Sequence, residues 1–508
     1  MSTMRKIAGL TGAVLAGAAA GIGAKAFALP AARIRQMEKL PPKGPSSKYY
    51  DRLPDADTIL GYASDLVDMG ARLPGTDAGA KAQAYVKNKL EEFGLADIMI
   101  IPAKTKLYQC EEYSLAVEGE EVDCCFINYT GFDGFGPFDS GNIEAELVYV
   151  GKDTDADVDV AGKIVVADVE FSSVPLGLAK LVGTMYDPDH TYDLTEIQKN
   201  IYMGESFTDG YFNYMSRGAA GYIGILVDYY DTPEYLSEDY NYLGEMKLPG
   251  MWLSYSTGDK LRRKIQDANK KGRQLKASMR LAGSMQQVEA GAVVGFVRGK
   301  SKETILVHSH YDSVTCGASE DASGTAAVLA LAKMYAQIPA EELEKSIAFI
   351  LMDSHFSDYD THDAVVEALM GGQGNGGGNI IANLCIEHIC DEYKRNEEGG
   401  ISPTGQIESR IVFTTKGKTL NRIVQEEFIR HRMKRSLFLP ANLLGDDLCT
   451  DADMFYREGI EVCSMVSGPI YLYSSDDTLD KIPKDQLVPT CKTFSDILWR
   501  LINRASRF

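Results

Sequence analysis

The sequence is short of positive charge. It has 52 Lys and Arg against 72 Asp and Glu, which gives a formal net charge of −20 over 508 residues. An acidic surface repels phosphate groups, so this balance argues against nucleic acid or an anionic membrane surface as a partner. A hydrophobic content of 45% and a charged content of 24% are typical of an ordinary globular protein. The length allows about two to four domains.

Several motifs that mark other protein classes are also absent. The nine cysteines include no Cys-x-x-Cys pair, so neither a zinc finger nor a disulfide framework is predicted. No Gly-x-Ser-x-Gly elbow occurs, which disfavours a serine hydrolase. The Gly/Asn-rich stretch at 371–379 lacks the Lys-Ser/Thr of a phosphate-binding loop, and a connector is expected there. Alternating acids at 153–159 lack the Gly and Glu of an EF-hand, so a solvated acidic turn is expected.

The N-terminus has the pattern of a targeting segment. Two basic residues precede an Ala/Gly-rich apolar run at 7–24, and a small-x-small cleavage site follows at 26–28. This order predicts a secretory signal peptide at 1–28 and an exported protein, whether extracellular, periplasmic or on the cell surface. An N-terminal membrane anchor is the alternative. A tether is predicted at 29–50.

The most informative stretch is ILVHSHYDSVTCGASEDASGT at 305–325. An apolar strand leads through His308 and His310 into a turn-rich loop that carries Glu320 and Asp321, and an Ala/Leu-rich run typical of a buried helix follows. An α/β sheet presents its ligand-binding residues at the carboxyl ends of its strands. Imidazole and carboxylate groups together suit a divalent metal such as zinc. For either histidine alone, a place in the core is the alternative.

This stretch resembles the co-catalytic zinc aminopeptidases, the family that includes bacterial leucyl aminopeptidases, glutamate carboxypeptidase and glutaminyl cyclases. HYDS and GASEDASG match the family's first-ligand and bridging-acid motifs. The resemblance implies an α/β fold, with a mostly parallel mixed sheet and helices on both faces, a zinc cofactor and a peptide substrate. It assigns 51–125 and 286–508 to a peptidase-like domain. Residues 126–285 resemble a mainly β protease-associated domain inserted into it.

The resemblance also implies a set of metal ligands. His310 matches the first ligand, Glu320 the bridging acid and Glu387 the acid that follows a later strand. The adjacent Asp321 is the alternative to Glu320 as a ligand. Asp312 is the expected partner that orients the imidazole of His310. These residues would form one three-ligand zinc site with a position left open for water, as catalytic zinc requires.

The family's second zinc is not expected to bind in the same way. The family's Glu-Glu pair is His355-Phe356 here, and its C-terminal histidine is Tyr473, so one ion is favoured over two. His355 is predicted to act as a general base, with a replacement ligand as the alternative. Tyr473 is predicted to donate a hydrogen bond to the oxyanion.

These assignments predict an exported zinc-dependent aminopeptidase with a modified metal site. The alternative is an inactive peptidase-fold protein that binds peptide or glycan. A glutaminyl cyclase is a weaker hypothesis, because that branch needs the two ligand positions that Phe356 and Tyr473 occupy.

Apolar runs and turn residues give a local structure that supports the fold class. Paired strands are expected at 292–298 and 303–307, and further strands at 346–352 and 380–390. Helices are expected at 325–336, 418–433 and 484–505, so that strands and helices alternate. The Tyr/Asp/Glu-rich stretches at 188–214 and 231–242 are expected to be loops.

Overall fold

The computed structural model describes residues 31–205, 207–237, 244–371, 379–415, 418–445 and 447–504. The predicted signal segment at 1–28 and most of the predicted connector at 371–379 lie outside the described residues. Among the described helices, none combines the length and the apolar character needed to cross a membrane.

Strands and helices alternate along much of the described chain. The helices are α1 (Ala31–Met37), α2 (Ala56–Val67), α3 (Asp77–Phe93), α4 (Leu176–Val182), α5 (Phe207–Ser216), α6 (Tyr255–Lys270), α7 (Ser323–Ala336), α8 (Asp360–Met370), α9 (Lys418–Arg430), α10 (Asp453–Arg457) and α11 (Lys484–Ile502). The strands are β1 (Ala96–Val117), β2 (Glu120–Glu121), β3 (Cys125–Phe126), β4 (Gly136–Asp139), β5 (Ile143–Gly151), β6 (Ile164–Pro175), β7 (Thr184–Tyr186), β8 (Ile197–Glu205), β9 (Gly221–Leu226), β10 (Gly250–Leu253), β11 (Lys276–Val297), β12 (Thr304–His310), β13 (Ser346–Met352), β14 (Ile380–Ile386), β15 (Asp391–Arg395), β16 (Ile401–Ile407), β17 (Arg410–Thr414), β18 (Ser436–Pro440) and β19 (Glu461–Val466).

The central sheet is mixed and has a parallel core. β12 lies between β13 and β14 and pairs in parallel with both, and β14 pairs in parallel with β19. β11 runs antiparallel to β13 on one side, and β17 runs antiparallel to β19 on the other. The predicted α/β class, a mixed sheet with helices around it, is confirmed. Because four neighbouring strands run in parallel, their carboxyl ends meet at one edge, and residues that follow them come together there.

α7, which follows the loop after β12, holds this edge of the sheet in place. Nearly all of its residues are fully buried, as expected for a helix that is apolar on every side. It packs against α2, α3, α11 and the strands β12 and β13. The loop between β12 and α7 is therefore held at both of its ends by buried elements.

Two local predictions are wrong. The strands around 292–298 and 303–307 do not pair with each other, because β13 lies between them and pairs with both. The stretch at 188–214 is not one loop, since it contains β8, which pairs with β6, and most of α5. Its polar and aromatic composition hides this pairing, which depends on a partner strand far away in the chain.

The segment 31–50, predicted as a tether, packs against the body of the protein. It begins with α1, and Tyr49 is buried. The backbone N–H of Ser46 donates a hydrogen bond to Asp496 Oδ1 at 2.8 Å. This segment is therefore joined to the C-terminal helix α11.

A long two-stranded ribbon connects the central sheet to the 126–285 region. β1 and β11 pair antiparallel from Ala96, opposite Phe296, to Val117, opposite Ala277. At its far end the ribbon joins a second core with β5, β6, β9, β10 and α6. Residues on β1 and β11 thus contribute to both cores.

Candidate metal centre

Two buried charged residues hold the loop that follows β12. Arg72 is fully buried and donates a hydrogen bond from its guanidinium to the carbonyl of Gly317 at 3.1 Å. From the other side, Asp477 accepts hydrogen bonds from the backbone N–H groups of Ser319 at 2.8 Å and Glu320 at 3.0 Å. The carboxylate of Glu320 is therefore carried on a backbone that is fixed on both sides.

Glu320 is the middle of a group of three histidines. His310 Nε2 lies 3.1 Å and His355 Nε2 lies 3.3 Å from Glu320 Oε1. His388 Nε2 lies 2.6 Å from the other oxygen, Oε2. The imidazoles of His310 and His355 are parallel, with ring centroids 4.0 Å apart. All four residues are at most 5% exposed, so water does not screen their charges.

Each imidazole is held from behind by an acceptor that faces its Nδ1 atom. A carboxylate or carbonyl on Nδ1 fixes the ring and directs Nε2 forward, as in most histidine ligands of metals. The pairs are His310 with Asp312 Oδ1 at 3.2 Å, His355 with Asp451 Oδ1 at 2.9 Å and His388 with the carbonyl of Ser467 at 2.5 Å.

This arrangement leaves lone pairs facing lone pairs. A neutral imidazole that donates from Nδ1 is an acceptor at Nε2, and the carboxylate of Glu320 is also an acceptor. His310 Nε2, His388 Nε2 and both Glu320 oxygens accordingly make no hydrogen bond. A buried unpaired polar group costs about 1–3 kcal/mol. The site therefore needs added positive charge, either extra protons or a metal ion.

The separations fit a zinc ion. In a tetrahedral site with bonds of about 2.0–2.1 Å, the ligand atoms lie roughly 3.3 Å apart. The two distances from Glu320 Oε1, 3.1 Å to His310 and 3.3 Å to His355, are close to that value. Two imidazole nitrogens and one carboxylate oxygen are also the ligand types of catalytic zinc. The ligand types and these two separations thus fit the metal.

The pKa values reflect the same demand for positive charge. Burial lowers the pKa of His388, but the charge of Glu320 outweighs burial and raises it to about 10. Burial raises the pKa of Glu320, but the charge of His388 and the close side-chain interaction with His310 outweigh burial and hold that pKa well below its usual range. The carboxylate of Glu320 and the protonated imidazoles around it stabilise each other in this buried site. A divalent ion can supply the positive charge in place of the protons.

Glu387, the third predicted ligand, lies near the centre but outside this group. Its Oε1 accepts hydrogen bonds from Cys385 Sγ at 2.8 Å and Ser464 Oγ at 3.1 Å. Burial raises the pKa of its carboxyl group to about 8. Among the described residues, ligand atoms of His310, Glu320 and His355 all lie within 4.8 Å of one another. Glu387 is not a member of this group. The ligand role of Glu387 stays a prediction.

Aromatic side chains cover the centre. The ring of Phe356 lies 6.2 Å from that of Tyr473, which is fully buried and 5.8 Å from Tyr235. Tyr202 stacks on the imidazole of His388 at 6.4 Å. Tyr202 and Tyr235 belong to the 126–285 region, so this region contributes to the surroundings of the metal centre. The oxyanion role of Tyr473 and the base role of His355 stay predictions.

Three residues near the centre were not assigned a role from the sequence: His388, Asp451 and His362. Successive side chains of a strand point to opposite faces, so only one of Glu387 and His388 is expected at the site. A positive φ of 53° at His388 breaks that alternation. Asp451 precedes α10 and His362 lies in the first turn of α8, so only the tertiary packing brings them to His355.

One comparison with known protein families matches the segment that carries part of this site. Residues 292–354 match the profile of Peptidase family M28. The matched segment contains His310 and Glu320 and ends directly before His355. No curated protein matches the chain at a significant level.

Solved structures show the same fold at low sequence identity. The aminopeptidase from Aneurinibacillus sp. strain AM-1 is 18% identical, with 90% of this chain and 96% of that chain covered and a TM-score of 0.60. The Peptidase M28 precursor from Shewanella amazonensis SB2B is 15% identical, with 94% and 97% covered and a TM-score of 0.63. BSAP, a zinc aminopeptidase from Bacillus subtilis, is 14% identical, with 90% and 97% covered and a TM-score of 0.59.

Family match, fold and site together support a peptidase-like hydrolase. The resemblance to the co-catalytic zinc aminopeptidases, predicted from the motifs around His310 and Glu320, is confirmed.

Proposed function

We propose that the protein is an exported zinc-dependent aminopeptidase with a modified metal site. In this proposal, one zinc ion is held by His310 Nε2, Glu320 Oε1 and His355 Nε2. The family match supports peptide-bond hydrolysis, and the names of the similar structures support the removal of N-terminal residues. The basic and apolar N-terminal pattern supports export.

One observation carries the proposal: ligand atoms of His310, Glu320 and His355 converge within 4.8 Å of one another, and no hydrogen-bond donor serves His310 Nε2 or either oxygen of Glu320. A bound zinc ion polarises a peptide carbonyl and lowers the pKa of a coordinated water to about 7. The chain's own residues prepare this position. Asp312 and Asp451 fix the two ligand imidazoles through Nδ1, and His388 lies against the second oxygen of Glu320 and balances its charge.

The proposal is tested by zinc content and turnover of the purified full chain. Zinc is measured by mass spectrometry, and hydrolysis with fluorogenic aminoacyl amides. In the variant Glu320→Gln, zinc at this position and hydrolysis should both be lost, because a neutral amide oxygen is a far weaker ligand than a carboxylate. The matched control is Glu408→Gln, at a buried acid outside the site whose pKa burial raises to about 8, so that an amide replaces an already neutral group.

The proposal is supported if the control variant keeps its zinc and activity while Glu320→Gln loses the ion at Glu320 and its activity. A wild-type chain that hydrolyses the substrates equally well after complete removal of metal would contradict it.

Burial of the centre favours a second candidate, a peptide- or glycan-binding protein without turnover. His310 and Glu320 are at most 1% exposed, and Phe356 and Tyr473 stand where the family has metal ligands. This candidate predicts that a peptide or glycan binds with the same affinity to wild type and to His310→Ala, with no hydrolysis by either. Hydrolysis that His310→Ala abolishes would rule it out.

A further inference from the structure

The imidazole of His355 also faces a second group of buried ligand atoms. Its Nε2 faces Glu320, whereas its Nδ1 lies 2.9 Å from Asp451 Oδ1. Ligand atoms of His355, His362 and Asp451 all lie within 4.8 Å of one another. His362 is fully buried and Asp451 is 2% exposed. His355 therefore lies between two groups of ligand atoms. One group contains the imidazole of His310 and the carboxylate of Glu320, and the other contains the imidazole of His362 and the carboxylate of Asp451.

The second group contains polar atoms that the protein leaves without a partner. Both ring nitrogens of His362 and the Oδ2 atom of Asp451 make no hydrogen bond. His362 Nε2 and Asp451 Oδ2 lie 3.4 Å apart, longer than the usual 2.7–3.2 Å of a hydrogen bond. The distance instead resembles the separation of about 3.3 Å between neighbouring ligands of a tetrahedral zinc ion.

The usual place for a second ion in this fold family is not available here. The sequence motifs put Phe356 and Tyr473 where the family has two ligands, and both side chains lie in the aromatic cluster beside the centre. The group of His355, His362 and Asp451 is built from other elements, namely the turn after β13, the start of α8 and the segment before α10.

We propose that His355, His362 and Asp451 bind a second divalent ion of the zinc class, with His355 as a bridge between the two ions. His355 Nε2 would bind the ion at Glu320, and His355 Nδ1 the ion at Asp451 and His362. The second ion takes the place of the proton between His355 Nδ1 and Asp451 Oδ1. That proton is released to solvent, and the two cations stabilise the resulting imidazolate. This inference rests on the proposed function in one respect, because the proposed first ion also binds His355.

Zinc content per chain tests the proposal, measured after dialysis in the full-length protein together with the thermal unfolding curve. We expect two ions in wild type, one in Glu320→Gln and one in His362→Gln. The matched control is His308→Gln. His308 is a fully buried histidine of β12 that contacts Asn383 Oδ1 at 3.0 Å and belongs to neither group, so this variant should keep two ions. If His362→Gln does not fold, His362→Phe replaces it with the same expectation.

A folded His362 variant that holds as many ions as wild type would overturn the second site. A wild-type chain with a single ion would overturn it as well. Failure of the proposed function has a different signature: a wild type that holds two ions, loses one in His362→Gln and shows no hydrolysis still supports the second site.

Discussion

Two clusters of histidine and carboxylate side chains in this protein differ in the hydrogen-bond donors around them. Glu427, His431 and Asp496 place their ligand atoms within 4.8 Å of one another, as do His310, Glu320 and His355. In the first cluster, however, hydrogen-bond donors and arginine side chains pair with both carboxylates. Glu427 is paired with two arginines, and Asp496 accepts hydrogen bonds from Ser46, Tyr50 and His431.

In the cluster around Glu320, acceptors face acceptors. No arginine, hydroxyl or backbone N–H donates to either carboxylate oxygen of Glu320 among the described residues. The comparison teaches that a set of Glu, His and Asp side chains does not define a metal site. A metal site is indicated where buried lone pairs converge and the protein supplies no donor for them.

The largest expected effect is a difference in zinc content and activity between variants of the two clusters. His310→Ala should remove the zinc ion at Glu320 and lower kcat/KM for aminoacyl amides roughly thousandfold, because bound metal supplies several kcal/mol of transition-state stabilisation. His431→Gln, in the other cluster, should leave both unchanged. Metal analysis and steady-state kinetics of the two variants check this. Equal loss of zinc in both variants would contradict the comparison.

The next effect is one of stability. Asp496→Ala should lower the free energy of unfolding by about 3–5 kcal/mol, because it leaves buried donors unpaired. Urea unfolding of wild type and variant measures the difference, and zinc content should not change. A fall in zinc content without a loss of stability would mean that this cluster also holds metal.

The same carboxylate predicts a pH dependence. Burial raises the pKa of Asp496, but hydrogen bonds from His431, Ser46 and Tyr50 outweigh burial and lower the pKa below its usual value. A depressed folded-state pKa stabilises the protein above the unfolded value of about 3.9, and this contribution is lost as pH falls through the folded-state pKa. Unfolding curves between pH 6 and the acid limit should therefore show a smaller acid-dependent loss in Asp496→Asn than in wild type.

A smaller effect is expected behind the metal ligand His310. Asp312→Asn should weaken zinc binding at Glu320 by about 10–100-fold, because an amide orients and polarises His310 less well than a carboxylate. Competition with a chromogenic chelator measures the affinity. Unchanged zinc affinity would mean that Asp312 does not position the ligand.

The smallest expected effect concerns a single hydrogen bond in the cluster of Glu427, His431 and Asp496. Tyr50→Phe removes the hydroxyl that donates to Asp496 Oδ2 at 2.5 Å. The loss should be about 1 kcal/mol, because other donors to Asp496 remain. Urea unfolding checks this value. A loss as large as that of Asp496→Ala would mean that Tyr50 holds the whole cluster together.

Local patterns predict much of this fold. The strand, loop and helix at 305–336 could be predicted because an apolar run, glycines and an Ala/Leu-rich segment follow one another within 32 residues. β13 matches its predicted range, and α9 and α11 end only three residues before theirs, because their apolar periodicity is strong. β8 could not be predicted in this way, since its pairing with β6 is distant in sequence.

The site was less predictable than the fold. His310 and Glu320 lie in one continuous motif, and the structure brings them together. His388 depends on a backbone turn at a single residue, and Asp451 and His362 depend on how α8 and the segment before α10 pack. Contacts of this kind have no short sequence signature, because each arises from the packing of separate elements.

The ribbon of β1 and β11 determines how this architecture can be shortened or extended. A domain on a flexible linker can be cut off at the linker, but here two strands cross together from one core to the other. A shorter chain without the 126–285 region would need a hairpin turn between paired positions, for example where Lys104 lies opposite Glu289. The turn would have to join two residues that lie opposite each other, because a slip of one residue turns every following side chain to the opposite face.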